Sequence, residues 1–442
     1  MTLSAWQRFW LADHRRIFAI ALPMIISNIA APMLGLIDTA IIGHLPEAIY
    51  LSAVAVGAMA INFVYLLAIF LRMSTTGVIA QAYGEQSQTQ QHRHWNHGLI
   101  FAVVLGVVII AALPLILWIL WHLVDLEGRV QELTAQYIQI RIWGAPAALI
   151  NLVVLGVLLG RQQAKAAMLL VIFTNAVNVV GDVILIIGLD LHVVGAAYAS
   201  LIAEWSTALL GFFLVNRSLQ LRWRNWPSIR WGETFALARM NRDIFIRSLL
   251  LQFCIAMMTA YATYYGSTTV AANAVLMQFL VLISLGLDGI AYSVEALIGQ
   301  AKGQRNQPRM RMWFQACMVW SLFFAILYSL LFWLAGDHVI QLITNIPEVI
   351  ETANLYLPWL VLLPLVAHWS YFFDGVFIGL SASKAMRNTM AWATLGVFIP
   401  VWWLTQPLEN HGLWFALVCF MGARGIAQAI WIQRSGVLRD QT

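Results

Sequence analysis

The chain has 442 residues, 61% of them hydrophobic and only 10% charged, with a mean hydropathy of +0.78. A soluble domain carries about a quarter charged residues, so this composition excludes a water-soluble globular protein and makes hydrocarbon the solvent. The net charge of +5 raises nucleic-acid binding as a reading, which the placement of the basic residues removes below.

Residues 1–16 mix Trp6, Trp10, Arg8, Arg15 and Arg16 ahead of a first apolar run over 17–43. That run is too long for a signal-peptide core and has no small-residue cleavage site, so it reads as a retained first span. Further apolar windows fall at 50–83, 97–122, 131–160, 165–189 and 193–216, then at 243–267, 270–301, 313–335, 350–380, 385–405 and 411–433. Each covers a hydrocarbon core of about 30 Å. The sequence therefore predicts an all-α integral membrane protein of about twelve spans. Cys254, Cys317 and Cys419 lie far apart inside these runs and define neither a disulfide framework nor a metal site.

Lys and Arg alternate between the connections. Those at 44–49, 123–130, 190–192, 268–269, 336–349 and 406–410 hold only Arg129. The opposite side holds Arg8, Arg15, Arg16, Arg93, Arg161 and Lys165, then Arg217, Arg222, Arg224, Arg230, Arg239, Arg242 and Arg247. It continues with Lys302, Arg305, Arg309, Arg311, Lys384, Arg387, Arg434 and Arg439. By the positive-inside rule both termini are cytoplasmic. The basic balance reports orientation, and nucleic acid is not an expected partner. Trp6, Trp10, Trp95, Trp121, Trp223, Trp226 and Trp231 fall near span ends, as interface belts do. Met33, Phe253, Met257 and Tyr261 are of types that suit an adaptable pocket.

A shift of 219 residues superposes the two halves without gaps in two regions. Ala53, Ala55, Val56, Leu66, Ser74 and Gln81 meet Ala272, Ala274, Val275, Leu285, Ser293 and Gln300. Tyr137, Gly156, Gly160 and Lys165 meet Tyr356, Gly375, Gly379 and Lys384. Six spans per half is an even number, so the halves share one orientation, related by a pseudo-two-fold axis along the membrane normal. The expected division is an amino-terminal six-helix bundle over 1–216, a cytoplasmic linker over 217–242 and a carboxy-terminal bundle over 243–442.

The stretches Ala21-Leu22-Pro23 and Gly35-Leu36-Ile37-Asp38-Thr39-Ala40-Ile41-Ile42-Gly43-His44 resemble the multidrug and toxic compound extrusion (MATE) family, in its DinF-like branch. So do Leu287 to Ala296, Gly299-Gln300-Ala301 and Asp374 to Gly379. The resemblance covers essentially the whole chain. It implies twelve helices in two bundles and export of organic cations and other amphipathic compounds by alternating access, coupled to H⁺ or Na⁺. The alternative is a lipid or lipid-linked sugar flippase of a related fold. An enzyme is not expected: the G-x-G-D signature of an intramembrane aspartyl protease would need Gly where Val179 stands. H-E-x-x-H, P-loop and G-x-S-x-G motifs do not occur. No cofactor is expected, the partners are small organic molecules and the bilayer, and a monomer is the expected state.

An ionisable group inside a membrane costs about 2.5–3.5 kcal/mol on insertion scales and calls for a reason. Asp38 stands about 21 residues into the first span, and Asp182 about 17 into the fifth, which at 1.5 Å per residue gives similar depths. Asn178 precedes Asp182 by four and shares its face; Thr174 and Asn175 extend that polar stripe. Tyr137, Arg141 and Ser200 reach the same level. Two carboxylates with amides, a hydroxyl and a phenol make either a proton store or a small oxygen cage for a hard cation such as Na⁺. The resemblance implies coupling positions at Asp38, Asn178 and Asp182, with Ser200 where a Thr is common, and lobe-lining positions at Asn151 and Tyr137; Arg141 and Asn175 are further candidates for the substrate-lining set. The bland reading makes Asn28, Asn62, Thr174 and Asn175 interhelical hydrogen-bonding groups. Arg141 either pairs an acid of the cluster or snorkels to the interface. In the second half, Asp288 and Glu295 share a face, and Arg424 is expected to neutralise Asp288 or Asp374. The rival reading makes Glu295 or Asp374 a second cation or substrate site. Pro23, Pro32 and Gly35 interrupt the first helix on the approach to Asp38. Either protonation of Asp38 changes its bend or the kink is static.

Overall fold

The computed structural model describes residues 12–45, 47–124, 127–221 and 231–438. Trp6, Arg8, Trp10, Arg222, Trp223, Arg224, Trp226, Arg230 and Arg439, named above for the belts and the orientation, lie outside those residues. The described chain is all helix and turn: α1 His14–Gly43, α2 Ala48–Leu67, α3 Phe70–Gly84, α4 Gln88–Ala111, α5 Leu113–Leu123, α6 Gly128–Arg141, α7 Ala145–Gly160, α8 Ala164–Asp182 and α9 His192–Ser218. There follow α10 Trp231–Ala262, α11 Ser267–Gly303, α12 Gln307–Ile343, α13 Pro347–Gly379, α14 Ser383–Ala393, α15 Ile399–Leu404 and α16 Glu409–Ser435. Among the described residues, eleven stretches are long and apolar enough to cross a membrane. The span expected at 385–405 is in pieces: α14, a π-helical segment Thr394–Phe398 and the short α15.

Breaks fall where chain chemistry puts them. Pro114 ends the α4 ladder because it has no N–H to donate, and α5 restarts with it in the first turn. The Ser87 side chain caps α4 by accepting from the Gln90 N–H at 3.3 Å, and Asn306 caps α12 by accepting from that of Arg309 at 3.0 Å. These two caps are themselves 219 residues apart. The repeat is thus physical. Gln86 and Arg305 take φ of 54° and 53°, and Gln162 and Ser381 take 61° and 52°. The backbone bonds Ser87 N to Ala82 O and Asn306 N to Ala301 O recur at the same shift. So does one helix crossing. A Cβ on Gly156 would lie 2.8 Å from the Arg72 carbonyl oxygen, and one on Gly375 would lie 2.5 Å from that of Ala291. In each half the fourth span therefore lies backbone-to-backbone on the second, which only a residue without a side chain allows.

The chain divides into two compact units, Met1–Ile25 with Arg239–Thr442, and Ile26–Ala238. The sequence reading had placed the whole first span with residues 1–216. Its first turns instead belong with the carboxy-terminal helices: Ser293 Oγ donates to the Ile17 carbonyl at 2.9 Å, and Ile25 packs on Gly289. From Ile26 onward α1 belongs to the other unit, where Asn175 Nδ2 donates to the Ala30 carbonyl at 2.8 Å. Helix α1 is assigned without interruption through Pro23, Pro32 and Gly35.

The glycine crossing is testable by overfilling it. Gly156→Val and Gly375→Val each cost about 1–3 kcal/mol of stability, read as a lower melting temperature in detergent. Gly35→Ala, where nothing lies within 4 Å, leaves it unchanged or raises it by up to ~1 kcal/mol through helix propensity.

Candidate functional site

In the unit Ile26–Ala238, the polar residues predicted at one depth converge. A pocket of about 170 Å³ is lined by Asp38 and Thr39 from α1, Asn62 from α2, Tyr137 from α6, Asp182 from α8 and Ser200 from α9, among apolar neighbours. Asp182 is the last residue of α8 and is 2% exposed. A π-helical segment, Val183–Gly188, begins directly after it, a local widening of the helix common at functional sites.

Asn178 lies one turn before Asp182 and is likewise buried. With its amide oriented to satisfy every neighbour, its nitrogen donates to Asp38 Oδ1 and to Asp182 Oδ2, both at 3.1 Å. Its oxygen accepts from Ser200 Oγ at 2.9 Å and Ser200 N at 3.2 Å. Asn178 thus bridges the two carboxyl groups. The four residues proposed from sequence as a coupling set therefore form one connected group.

The remaining amino-terminal candidates have other partners. Asn175 binds the Ala30 carbonyl, and Asn151 Nδ2 donates to the Glu204 carbonyl at 3.1 Å. Thr174 shares a 2.8 Å hydrogen bond with Thr207. These side chains join helices. Asn62, read as such a joining group, instead lines the pocket. Arg141 neither snorkels nor contacts the acid pair: it pairs with Glu204, Nη2 donating to Oε1 at 2.9 Å. Glu204 was a signal available in the sequence, since an intramembrane acid needs a partner and Arg141 was without one.

In the other unit, Asp374 is held by Arg424, as expected, and also by Arg247. Gln428 Nε2 donates to its second oxygen at 2.9 Å. Arg247 had been counted with the cytoplasmic basic residues. It lies inside α10, is 8% exposed and leaves that count, because it neutralises a buried acid. The Asp374 carboxylate is thus taken up on both oxygens, against its reading as a second cation site. Glu295 is buried on α11, and both it and Asp288 have interactions of their own. No group of three or more His, Cys, Asp or Glu suited to a metal ion occurs among the described residues.

The MatE family model matches this chain twice, over residues 23–184 and 244–404. The chain belongs to the MatE family. Its members are membrane transporters, and two matches in one chain are what the internal repeat requires. The chain is 43% identical to DNA damage-inducible protein F of Escherichia coli K12 over 429 residues, covering 96% of this chain and 93% of that one. It is 23% identical to a probable multidrug resistance protein NorM of Thermotoga maritima, covering 77% and 75% of the two chains. Among solved structures, an outward-facing multidrug resistance MATE family transporter of the MOP superfamily superposes with a TM-score of 0.86 at 22% identity, covering both chains fully. A MOP superfamily transporter from Pyrococcus furiosus gives 0.85 at 21%, again over the whole of both chains. Those structures have twelve transmembrane helices in two bundles, the fold expected from the sequence.

Removing Asp374 tests its structural role. Asp374→Asn leaves two buried guanidinium groups without a counter-charge and costs about 3–5 kcal/mol, read as a fall in melting temperature. Asp374→Asn combined with Arg424→Met recovers part of that loss.

Proposed function

We propose that this protein exports cationic, amphipathic organic molecules across the bacterial inner membrane, driven by H⁺ moving the other way. The observation that carries the reading is the hydrogen-bonded group of Asp38, Asp182 and Asn178 in the wall of a pocket. The acid pair takes up a proton as an O–H bond on one carboxyl oxygen, and Asn178 steadies both carboxyls through its N–H groups. The alternative coupling ion is Na⁺, since the two carboxylates, the Asn178 amide oxygen and the Ser200 hydroxyl are oxygens of the kind a hard cation takes. Export of organic compounds is supported by family membership and by relatives named as multidrug resistance proteins.

The flippase alternative needs a cationic lining for a phosphate-bearing headgroup, whereas the lining here carries two acids and no base. Both termini face the cytoplasm on this reading, since the Lys and Arg asymmetry survives the loss of Arg247. Two similar halves serve alternating access. Helix α1 carries both Pro32 and Asp38, so the charge state of the acid acts on a helix segment already weakened by proline.

The deciding measurement is ethidium or norfloxacin efflux from cells carrying Asp38→Asn, which drops to background on this reading. Wild-type efflux by that variant would sink it. Replacing sodium at fixed pH leaves efflux by the unaltered protein unchanged, and loss of efflux there turns the coupling ion to Na⁺.

A further inference from the structure

Beside the acid pair stands a charged assembly that the pair alone does not explain. Arg141 ends α6, and its two terminal nitrogens face the two carboxylate oxygens of Glu204 at 2.9 and 2.8 Å. The side chains are only 7% and 14% exposed. The site is shaped for this contact. Gly144, in the 3-10 turn after α6, lies directly against the Glu204 carboxylate, where any side chain would displace it.

Tyr137 stands one turn before Arg141 on the same helix face. The residue lines the pocket that holds Asp38 and Asp182. The titratable and charged groups around Arg141 can be named by helix. They are Glu204 from α9, Tyr137 from α6 itself, Tyr65 from α2 with its ring centroid 5.9 Å from the guanidinium carbon, and Asp38 from α1 within electrostatic range.

A buried ion pair is a poor device for stability alone, because well-packed apolar side chains in its place are often as stable or more so. This pair also leaves the Arg141 Nε without a hydrogen-bond partner, so the guanidinium keeps a spare donor. We propose that Arg141 is the counter-charge of the Asp38–Asp182 pair, positioned by Glu204 and linked to the pocket through Tyr137, and that it sets the pH range over which the site exchanges its proton. The inference rests on the proton-coupled reading above. While the acids hold a proton, Glu204 satisfies Arg141. When the proton leaves a carboxyl oxygen for water, the added negative charge competes with Glu204 for the guanidinium, which answers through its spare donor and the Tyr137 hydroxyl. Arg141 and Glu204 are thus positioning residues, acting on the acids from outside the pocket.

The two halves of the pair then have opposite effects. Glu204→Gln leaves the positive charge wholly to the acids and favours their ionised form; Arg141→Met withdraws it. Ethidium transport by purified protein in liposomes, measured across a pH series, reads the difference. Glu204→Gln moves the half-maximal pH down and Arg141→Met moves it up, each by on the order of one pH unit. The double variant falls between them. Arg141→Lys, which keeps the charge and loses the fork, holds the wild-type midpoint at a lower rate. If a single variant fails to fold, Tyr137→Phe removes only the linking hydroxyl and gives a smaller upward shift. Folded variants that slow transport with an unmoved midpoint, or that shift it in one direction alike, overturn the inference. Wild-type transport indifferent to pH overturns the proton reading itself.

Discussion

Inside hydrocarbon no water is present to satisfy a charge, so each buried ionisable group must find its partner within the protein or exchange a proton. The two units answer this demand in opposite ways. Around Asp374, two guanidiniums and an amide consume the carboxylate, and the acid becomes a fixed part of the fold. Around Asp38 and Asp182 the neutral amide of Asn178 is the group that donates to both acids. A neutral donor steadies a carboxyl in either protonation state, which is what the proposed proton exchange asks of that group.

The shared scaffold makes this divergence visible residue by residue. The turns at Gln86 and Arg305, the caps at Ser87 and Asn306, and the glycine crossings at Gly156 and Gly375 are the same construction made twice. At the same shift, pocket-lining Gly35, Asp38, Ala58 and Asp182 meet Cys254, Met257, Met277 and Val401, all packed in or against the apolar core of the other unit. Larger apolar side chains occupy the positions where the first half keeps small and acidic ones. The pocket is thus a local withdrawal of side-chain volume from a common frame.

Much of this was legible in the sequence because its causes are local. Span length follows from hydrocarbon thickness, and the repeat follows from residues that must be small or bent. The depth count placed Asp38, Asn178, Asp182 and Ser200 together because each lies on a regular helix whose rise per residue is known. What was not legible depends on who faces whom. Arg247 read as a cytoplasmic cation because it stands close to the start of the apolar window 243–267, and only its ion pair with Asp374 shows which acid it serves. Glu204 is visible in the sequence as an intramembrane acid, but that Arg141 is its partner shows only once α6 and α9 are placed together. The division of α1 between two units was likewise invisible, since hydropathy records that a helix is apolar and not which neighbours it packs against.

The two buried ion pairs carry the asymmetry further. In one unit the cation, Arg141, stands at the end of α6, in the span matched by α13, and its acid, Glu204, stands on α9, the span matched by α16. In the other unit the acid, Asp374, is on α13 and the cation, Arg424, is on α16. Equivalent spans are joined by charge with the polarity reversed, at positions the 219-residue shift does not superpose. A scaffold inherited twice fixes backbone crossings, because those depend on the absence of side chains. It leaves the sign of each charge free, because an ion pair needs only an opposite charge within reach. Chemistry was therefore able to separate between the halves while their packing stayed alike.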